Sequence, residues 1–391
     1  MSKNNIHEIF SVARENIKKN TDFPVNKLLD YFKNSDFILY GAGETGAYVV
    51  EKLKQINIRP MAFADDTEAK QHKLLQDVQI YSLEKIKEIC NNNIVIFITI
   101  FQPSVSFLSL KEKLISQGFT NIFSLLDLFY AFPESFLPYY QFDRIEKLIE
   151  QEQEYAHAYD LFEEPESREI FLSNLRFKLS LQHNDLFQGD DQHYFPLDIY
   201  PDIKSKLCFY IDCGAYDGDT IKKFLDKDVS VSKICAFEPD QYNFIKLTDY
   251  VTKLDKKKSE KIYLYPFGIS GHHGYHKFSS SGTMGSAFNE KGNVIIQMVS
   301  LDDLFYDTLK NNEDAIFIKM DIEGEEMKAL QASQKIVKEK SPNLAISIYH
   351  HPDDLWKVPL SINALNPGYK FYLRQHGEDS MDLVLYTVPK I

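Results

Sequence analysis

Two acidic residues in the second half of the sequence lie where strand-like segments end. Asp212 falls in FYIDCGAYDGDT (209–220), and Glu238 falls in AFEPD, after one further helix-like segment. Gly214 and Gly218 complete the spacing D-x-G-x-x-x-G around the first acid. A carboxylate in the first position can meet a cationic amino group, and an acid after the next strand suits two ribose hydroxyls. This spacing is typical of S-adenosylmethionine (SAM) sites, and it differs from the G-x-G-x-x-G turn that cradles a pyrophosphate.

A second set of polar residues follows two later strand-like segments. Asp321 and Glu323 come after AIFIKM, and His350 comes after LAISIY. Ligands of open α/β folds bind at the carboxyl ends of strands, so we expect these residues to share a crevice with Asp212. The ordinary pKa of histidine suits a general base near neutral pH. We therefore predict that His350 and Asp321 are the catalytic residues. Asp321 would either orient His350 or contact the substrate that accepts the transferred group.

Other functions fit the same positions. Asp321, Glu323 and His350 form an oxygen and nitrogen set that suits a divalent metal acidifying a hydroxyl, although their spacing does not require one. His350 also suits a structural histidine bonded to the backbone. Glu323 and Glu326 suit the start of the following helix, where acids favour the helix dipole. Asp212 could likewise have a structural function as the cap of a helix N-terminus, where aspartate is favoured.

The first half of the sequence carries a different turn, LYGAGETGAY. Gly41, Gly43 and Gly46 follow G-x-G-x-x-G, in which the glycines permit a sharp turn, phosphate approach and close helix packing, respectively. Asp65 lies about 20 residues beyond Gly46, where a ribose-binding acid is expected. The helix start would add amides and a positive dipole. The sequence thus predicts an accessory nucleotide pocket comprising Gly41, Gly43, Glu44, Thr45, Gly46 and Asp65.

The ligand of this accessory pocket stays open at the level of sequence. A nicotinamide cofactor, a non-redox ligand such as a nucleotide-sugar, and a purely structural turn all fit the spacing. Two competing functions follow. The chain could be a nicotinamide-dependent sugar epimerase or dehydrogenase that uses the first turn, or a non-catalytic protein that binds a nucleotide-sugar.

Length and charge restrict the class of protein. The chain has 391 residues and a formal net charge of −13, which suits two or three domains and excludes nucleic acid as a partner. No apolar run approaches the ~20 residues that span a bilayer, and the N-terminus lacks the apolar core of a signal peptide. We expect a cytoplasmic protein with free thiols and a small-molecule or glycan acceptor. The sequence leaves open whether the chain forms homo-oligomers.

The alternation of strand-like and helix-like segments predicts an α/β fold with two doubly wound domains. We expect N-terminal helices at 1–35, a G-x-G-x-x-G domain at 36–130, a helical linker region at 131–205 and a second domain at 206–391. The Gly/Ser segment 279–286 and the aromatic stretch Tyr194–Tyr200 are candidates for covering the acceptor. A solvent loop and a structural linker are the alternatives for these two segments.

Several stretches of the second half together resemble the FkbM-type methyltransferase family. They are YIDCGAYDGDT (210–220), SLDDL (300–304), IKMDIEGEEMKAL (318–330) and SIYHHPDDLWKVPLSINALNPGYKFYLRQH (347–376), preceded by EPESREIFLSNLRFKLS (164–180) and YFP (194–196). The resemblance covers roughly residues 160–390. It implies a SAM-dependent O-methyltransferase on a class I seven-stranded sheet with an antiparallel last strand. Residues 36–125 resemble, less specifically, the Rossmann-like nucleotide-sugar-binding domains of bacterial glycan enzymes.

The resemblance also implies an acceptor and individual residue functions. The acceptor would be a hydroxyl of a sugar, a glycan precursor or a related metabolite, as in polysaccharide biosynthesis. Asp321, Glu323, Gly324, Glu326 and His350 match the family's other signature positions. The implied SAM contacts are Asp212, Gly214, Tyr216, Asp217, Gly218, Thr220, Glu238 and Pro239.

Overall fold

The structure is a computed structural model of the chain. It describes residues 4–19, 36–90, 93–190, 192–200, 206–271, 273–279, 287–288, 292 and 294–390. The chain divides into two compact units that each combine several segments. The first unit comprises residues 1–156, 169–189 and 375–382, and the second comprises 157–168, 190–374 and 383–391.

The first unit alternates strands and helices. In chain order its elements are α1 (Asn4–Lys19), β1 (Phe37–Tyr40), α2 (Glu44–Gln55), β2 (Ala62–Ala64), β3 (Leu74–Leu75), β4 (Val78–Tyr81), α3 (Leu83–Ile89), β5 (Val95–Ile98), α4 (Phe107–Ser116), β6 (Asn121–Ser124), α5 (Leu125–Ala131), α6 (Pro133–Phe136) and α7 (Ile145–Glu150). Two further helices, α8 (Glu152–Tyr159) and α9 (Pro165–Ser180), contain residues of both units. Residues 20–35 of the predicted N-terminal helices lie outside the described residues.

The strands of the first unit form a six-stranded sheet in the order β3-β4-β2-β1-β5-β6. The β1–β2, β1–β5, β2–β4 and β5–β6 pairs are parallel, and β3–β4 is antiparallel. Every residue of β1 and β5 is buried, as expected of parallel strands covered on both faces. The segment 375–382 belongs to this unit because Gln141 donates a hydrogen bond to the Ser380 carbonyl at 2.7 Å, and the Ser380 hydroxyl bonds Asn174.

The second unit repeats the alternation over more strands. Its further elements are β7 (Cys208–Cys213), α10 (Asp219–Asp226), β8 (Val231–Phe237), α11 (Gln241–Thr252), α12 (Lys256–Ser259), β9 (Ile262–Tyr265), β10 (Gly268–Ile269), β11 (Gly274–Ser279), β12 (Ala287–Phe288), β13 (Val294–Val299), α13 (Leu301–Leu309), β14 (Ala315–Met320), α14 (Glu326–Gln331), α15 (Gln334–Lys340), β15 (Asn343–Ser347), α16 (Asp354–Leu365), β16 (Tyr369–Gln375) and β17 (Leu383–Pro389).

The main sheet of the second unit has seven strands in the order β16-β17-β15-β14-β7-β8-β9. The five strands from β15 to β9 pair in parallel, whereas β17 runs antiparallel to β15. The predicted α/β fold class and the seven-stranded sheet with an antiparallel last strand are therefore confirmed. A smaller sheet has the order β10-β13-β11-β12.

Aromatic side chains fill the core beside β7. Tyr194, Phe195, Ile199 and Tyr200 are all buried there, with the Phe195 ring 5.3 Å from that of Phe317. The aromatic stretch is thus part of the packed core of the second unit. Residues 280–286 of the other predicted covering segment lie outside the described residues. Among the described helices, none combines the length and apolar character needed to cross a membrane.

Two glycines from the two predicted turns differ in how much space surrounds them. Gly214 follows β7 with φ +86°, and a Cβ added there would lie 1.9 Å from the Asp321 carbonyl oxygen. Gly43 precedes α2 with φ −107°, and an added Cβ would meet nothing within 4 Å. Only the first of these positions requires glycine on steric grounds.

We expect Gly214→Ala to lower the free energy of unfolding by about 1–3 kcal/mol or more, because it adds a left-handed φ to a collision with backbone. Gly43→Ala is the matched control and should change it by less than about 1 kcal/mol. Urea unfolding followed by circular dichroism measures both. Equal losses in the two variants would contradict the predicted packing of Gly214 against Asp321.

Candidate functional site

The end of β7 carries a fully buried ion pair. Asp212 is 0% exposed and Lys319 is 2% exposed. Lys319 Nζ lies 3.2 Å from Asp212 Oδ1, and the two residues are register partners across β7 and β14. Burial raises the pKa of Asp212 to about 6, although Lys319 lowers it. Burial lowers the pKa of Lys319, but Asp212 and Asp321 outweigh it and raise that pKa overall, so both groups are charged at neutral pH.

The end of β8 carries the second predicted acid. The Glu238 carboxylate accepts one backbone N–H on each oxygen, from Tyr216 at 2.8 Å and from Asp240 at 2.8 Å. Tyr216 takes the left-handed value φ +47°. Burial raises the pKa of Glu238 to about 7 against the lowering effect of these two N–H groups. Glu238 thus ties the turn after β7 to the end of β8 and keeps lone pairs on both oxygens.

The other predicted SAM residues follow the same turn. Gly218 immediately precedes α10 with φ +93°, and an added Cβ would lie 2.6 Å from the Tyr250 ring. Asp217 accepts a backbone N–H two residues on, Thr220 is buried, and Pro239 is half-buried. The space that side chains would need at Gly214 and Gly218 is therefore filled by protein. Their assignment as SAM contacts stays a prediction.

Asp321 lies one residue beyond β14 and touches both neighbouring strand ends. Its backbone N–H donates to the Cys213 carbonyl at 3.1 Å. The Tyr194 hydroxyl donates to its Oδ2 at 2.5 Å, and its Oδ1 lies 3.6 Å from His350 Nε2. Burial raises the pKa of Asp321, but Lys319, His350 and Tyr194 outweigh it, and the pKa is lowered. Asp321 is therefore an ionised carboxylate.

His350 lies three residues beyond β15 among three carboxylates. Its Nδ1 lies 2.9 Å from Glu326 Oε1, and its Nε2 lies 3.8 Å from Glu323 Oε2. Burial lowers the pKa of His350, but Glu326, Glu323 and Asp321 outweigh it and raise the pKa to about 10. The resting side chain is therefore an imidazolium at neutral pH, which sequence reasoning from the ordinary histidine pKa did not anticipate.

The loop between β14 and α14 holds the carboxylates in place. Glu323 has φ +54° and Gly324 has φ +96°. Glu326 Oε1 also accepts the Ile322 backbone N–H at 2.9 Å. The neighbouring His351 contacts the Gly324 carbonyl through Nε2 at 2.8 Å. His351 therefore supports the loop, and His350 is the histidine that meets the acids.

One set of metal-ligand type includes this histidine. Ligand atoms of Asp321, Glu326 and His350 lie within 4.8 Å of one another. The sequence predicted Glu323 in place of Glu326 as the third member. Glu326 also meets the Nδ1 side of the ring, while Glu323 and Asp321 meet the Nε2 side. The set thus has the form of a histidine oriented by one carboxylate and facing two others.

The first glycine turn uses its predicted ribose-binding acid internally. Asp65 accepts N–H groups of Ala42 at 2.8 Å and Thr67 at 2.9 Å, and Lys70 Nζ lies 3.1 Å away. Burial raises its pKa, but these partners outweigh it, and the pKa of Asp65 is lowered. Gly41 has φ +116°. The nucleotide pocket at this turn stays a prediction.

The remaining members of the predicted accessory pocket surround the start of α2. Gly43 and Glu44 are exposed, and Thr45 is half-buried. Gly46 packs against the turn, since an added Cβ would lie 2.3 Å from the Gly41 carbonyl oxygen. Glu44 thus brings a carboxylate to the helix start, where a pyrophosphate would lie.

Two residues of the site were not assigned from sequence. Lys319 stands two positions before Asp321, and the two-residue period of a strand could have placed both on one face. In the sequence, Tyr194 is distinguished only as part of the aromatic stretch Tyr194–Tyr200. Its ring lies 5.2 Å from Lys319 Nζ while its hydroxyl meets Asp321. Its φ of +70° is unusual for a bulky residue.

The sequence and the structure were compared with those of known proteins. Residues 212–378 match the family described as the methyltransferase FkbM domain. A crystal structure of methyltransferase FkbM from Methylobacillus flagellatus KT matches with a TM-score of 0.77 and 19% identity, covering 99% of this chain and 100% of that chain. At this identity the match shows a shared fold.

More distant matches are short. An rRNA methylase from Streptococcus thermophilus matches with a TM-score of 0.31 and 16% identity, covering 50% of this chain and 93% of that chain. A search of curated protein sequences finds no match. The similarity to methyltransferases in sequence therefore rests on the family match, whose range includes Asp212, Glu238, Asp321 and His350. Residues 212–378 of the chain are thus similar to the methyltransferase FkbM domain.

Proposed function

We propose that the chain is a SAM-dependent O-methyltransferase that acts on a hydroxyl of a sugar, a glycan precursor or a related metabolite. The close packing of Gly214 on Asp321 carries this proposal, since a Cβ at Gly214 would lie 1.9 Å from the Asp321 carbonyl oxygen. The Asp321 carboxylate lies 3.6 Å from His350. The turn predicted for SAM and the group predicted for proton transfer therefore adjoin at one sheet edge, where α/β folds bind ligands.

Glu238 and the turn after β7 suit SAM. Each Glu238 oxygen accepts one backbone N–H and can accept a further hydrogen bond from a ribose hydroxyl. Asp212 and Lys319 place a charged pair beneath the turn. When bound, SAM supplies the methyl group from its sulfonium. The protein's task is then mainly to hold the acceptor oxygen in line, since methyl transfer depends strongly on positioning.

The proton of the acceptor hydroxyl needs a destination as attack proceeds. We assign it to His350 Nε2, which faces Asp321 and Glu323. Glu326 holds Nδ1 and stabilises the imidazolium that forms. The same carboxylates keep the resting ring protonated, so the free base is scarce at neutral pH and strongly basic once formed.

The carboxylates beside His350 favour a neutral, hydroxyl-rich acceptor. The Asp321 side chain is 22% exposed and that of Glu323 is 25% exposed, so both can meet a ligand. Ionised carboxylates only accept hydrogen bonds, and neighbouring hydroxyls of a sugar offer the matching donors. An anionic group at the same place would meet like charge.

We expect Glu238→Ala to weaken binding of SAM and S-adenosylhomocysteine about ten- to a hundredfold, because hydrogen bonds to a charged group each contribute about 1.5–3 kcal/mol. Isothermal titration calorimetry measures the affinities, and circular dichroism shows that the variant is folded. Glu260→Ala is the control, since Glu260 is an exposed partner of Lys256. A parent protein that binds neither ligand would contradict the proposed function, and unchanged affinity in Glu238→Ala would remove Glu238 from the site.

We expect His350→Ala to keep SAM affinity and to lose turnover by about 10²–10⁴, the usual contribution of a general base. In the parent protein, kcat/KM for the acceptor should rise with pH toward about 10, because the free imidazole appears only as the pH passes the raised pKa. His273→Ala, at an exposed histidine paired with Asp303, is the control. A profile that is flat above neutral pH would assign the proton to a carboxylate.

We expect turnover to survive exhaustive chelation with EDTA. The His350 imidazolium already supplies a positive charge among Asp321, Glu323 and Glu326, so these carboxylates do not require a second cation. Methyl transfer is compared before and after dialysis against the chelator. Loss of turnover that Mg²⁺ or Mn²⁺ restores would contradict this expectation and favour the metal alternative.

A further inference from the structure

Lys319 is a lysine in the interior of the second unit. It lies in β14, whose residues from Ile316 to Met320 are all buried, and it is itself 2% exposed. Lysine is almost never fully buried unless it is paired. Strand propensity and apolar packing would both favour a hydrophobic residue here, so the contacts of the ammonium must explain the lysine.

Within the described residues, the ammonium contacts Asp212 and Gly214 at the end of β7 and also the ring of Tyr194. It lies 3.2 Å from Asp212 Oδ1 and donates a hydrogen bond to the Gly214 carbonyl at 2.5 Å. The third contact is the Tyr194 ring, whose centroid lies 5.2 Å away. Lys319 thus bridges the last acid of the strand and the first glycine of the turn.

The Gly214 carbonyl belongs to the sharp turn of the backbone after β7. Gly214 has φ +86°, and its N–H donates to the Phe237 carbonyl at 3.0 Å. The next residues lead to Tyr216, whose N–H donates to Glu238. Lys319 therefore holds one side of the turn while Glu238 holds the other.

We infer that Lys319 is a positioning residue of the SAM site, which fixes the turn at 214–218 in its binding geometry by cross-linking Asp212 to the Gly214 carbonyl. The inference rests on the proposed function. Ligand binding to a turn that is already ordered does not have to supply the cost of ordering it. Removal of the ammonium should therefore weaken binding through the turn, without removal of any atom that touches the ligand.

Tyr194 extends the effect of Lys319 to the acceptor side. Its ring faces the ammonium, and its hydroxyl donates to Asp321 at 2.5 Å. The hydroxyl also lies 3.4 Å from the Ser347 hydroxyl. Tyr194→Phe keeps the ring over Lys319 and removes the hydroxyl contacts to Asp321 and Ser347. It should therefore lower kcat while leaving the affinity for S-adenosylhomocysteine within about twofold.

The test compares two neutral replacements in the full chain. Lys319→Met removes the charge and every donor, whereas Lys319→Gln removes the charge and keeps an amide donor for the Gly214 carbonyl. We expect Met to weaken S-adenosylhomocysteine binding by about tenfold or more and Gln to weaken it less, as measured by calorimetry. Hydrogen exchange of the peptide covering 208–220 should be faster in Met than in the parent. A purely structural charge would give both variants the same affinity.

The outcomes separate the inference from the proposed function. If the parent does not bind S-adenosylhomocysteine, the proposed function fails. If the parent binds S-adenosylhomocysteine, and Lys319→Met and Lys319→Gln bind it with the same affinity as each other, the inference fails while the proposed function stands. If neither variant folds, Lys319→Arg is measured instead. Its planar guanidinium differs in donor geometry, so weakened binding at an unchanged melting temperature supports the inference and parent-like binding overturns it.

Discussion

The buried pair of Asp212 and Lys319 connects β14, the central strand of the seven-stranded sheet, to its neighbour β7. An ion pair without access to water contributes little net stability, but removal of one partner typically costs about 3–5 kcal/mol because a buried charge is left alone. A contribution to the free energy of unfolding therefore does not explain why the pair is present. Its geometry has a clear consequence, since the Asp212–Lys319 register aligns the end of β7 with the end of β14. That alignment brings Gly214 against Asp321.

Both units contain a carboxylate that accepts a hydrogen bond from the turn after the first strand, but the charges around the two carboxylates differ. In each, an acid after the second parallel strand accepts a backbone N–H from the turn after the first, Asp65 from Ala42 and Glu238 from Tyr216. Lys70 neutralises Asp65, and its pKa is lowered. Glu238 has two backbone partners and a pKa raised to about 7. Free lone pairs and a polar ligand therefore suit Glu238 better than Asp65, although the sequence signals look alike.

The sequence was sufficient where local pattern decides structure. Alternating apolar runs predicted the α/β fold, and the family resemblance implied the antiparallel last strand. Placement at strand ends predicted that Asp321 and His350 share one crevice, and they lie in one cluster. It was insufficient where contacts depend on the register between distant strands. Lys319 meets Asp212 across 107 positions, as the two residue numbers show. Glu326 fitted a helix start, and only the folded chain brings it to His350 Nδ1. The segment 375–382 joined the first unit for the same reason.

The carboxylates around His350 have two opposite effects on its proposed function as a base. They make the free imidazole a stronger proton acceptor, and they make it rarer at neutral pH because each stabilises the imidazolium. A ligand that brings a positive charge near Asp321 or Glu323 would weaken that stabilisation and release the proton more readily. Under the proposed function, the basicity of His350 would therefore depend on whether a cationic ligand occupies the adjacent turn. Lys319 sets the baseline for this coupling, because it already places one cation beside Asp321.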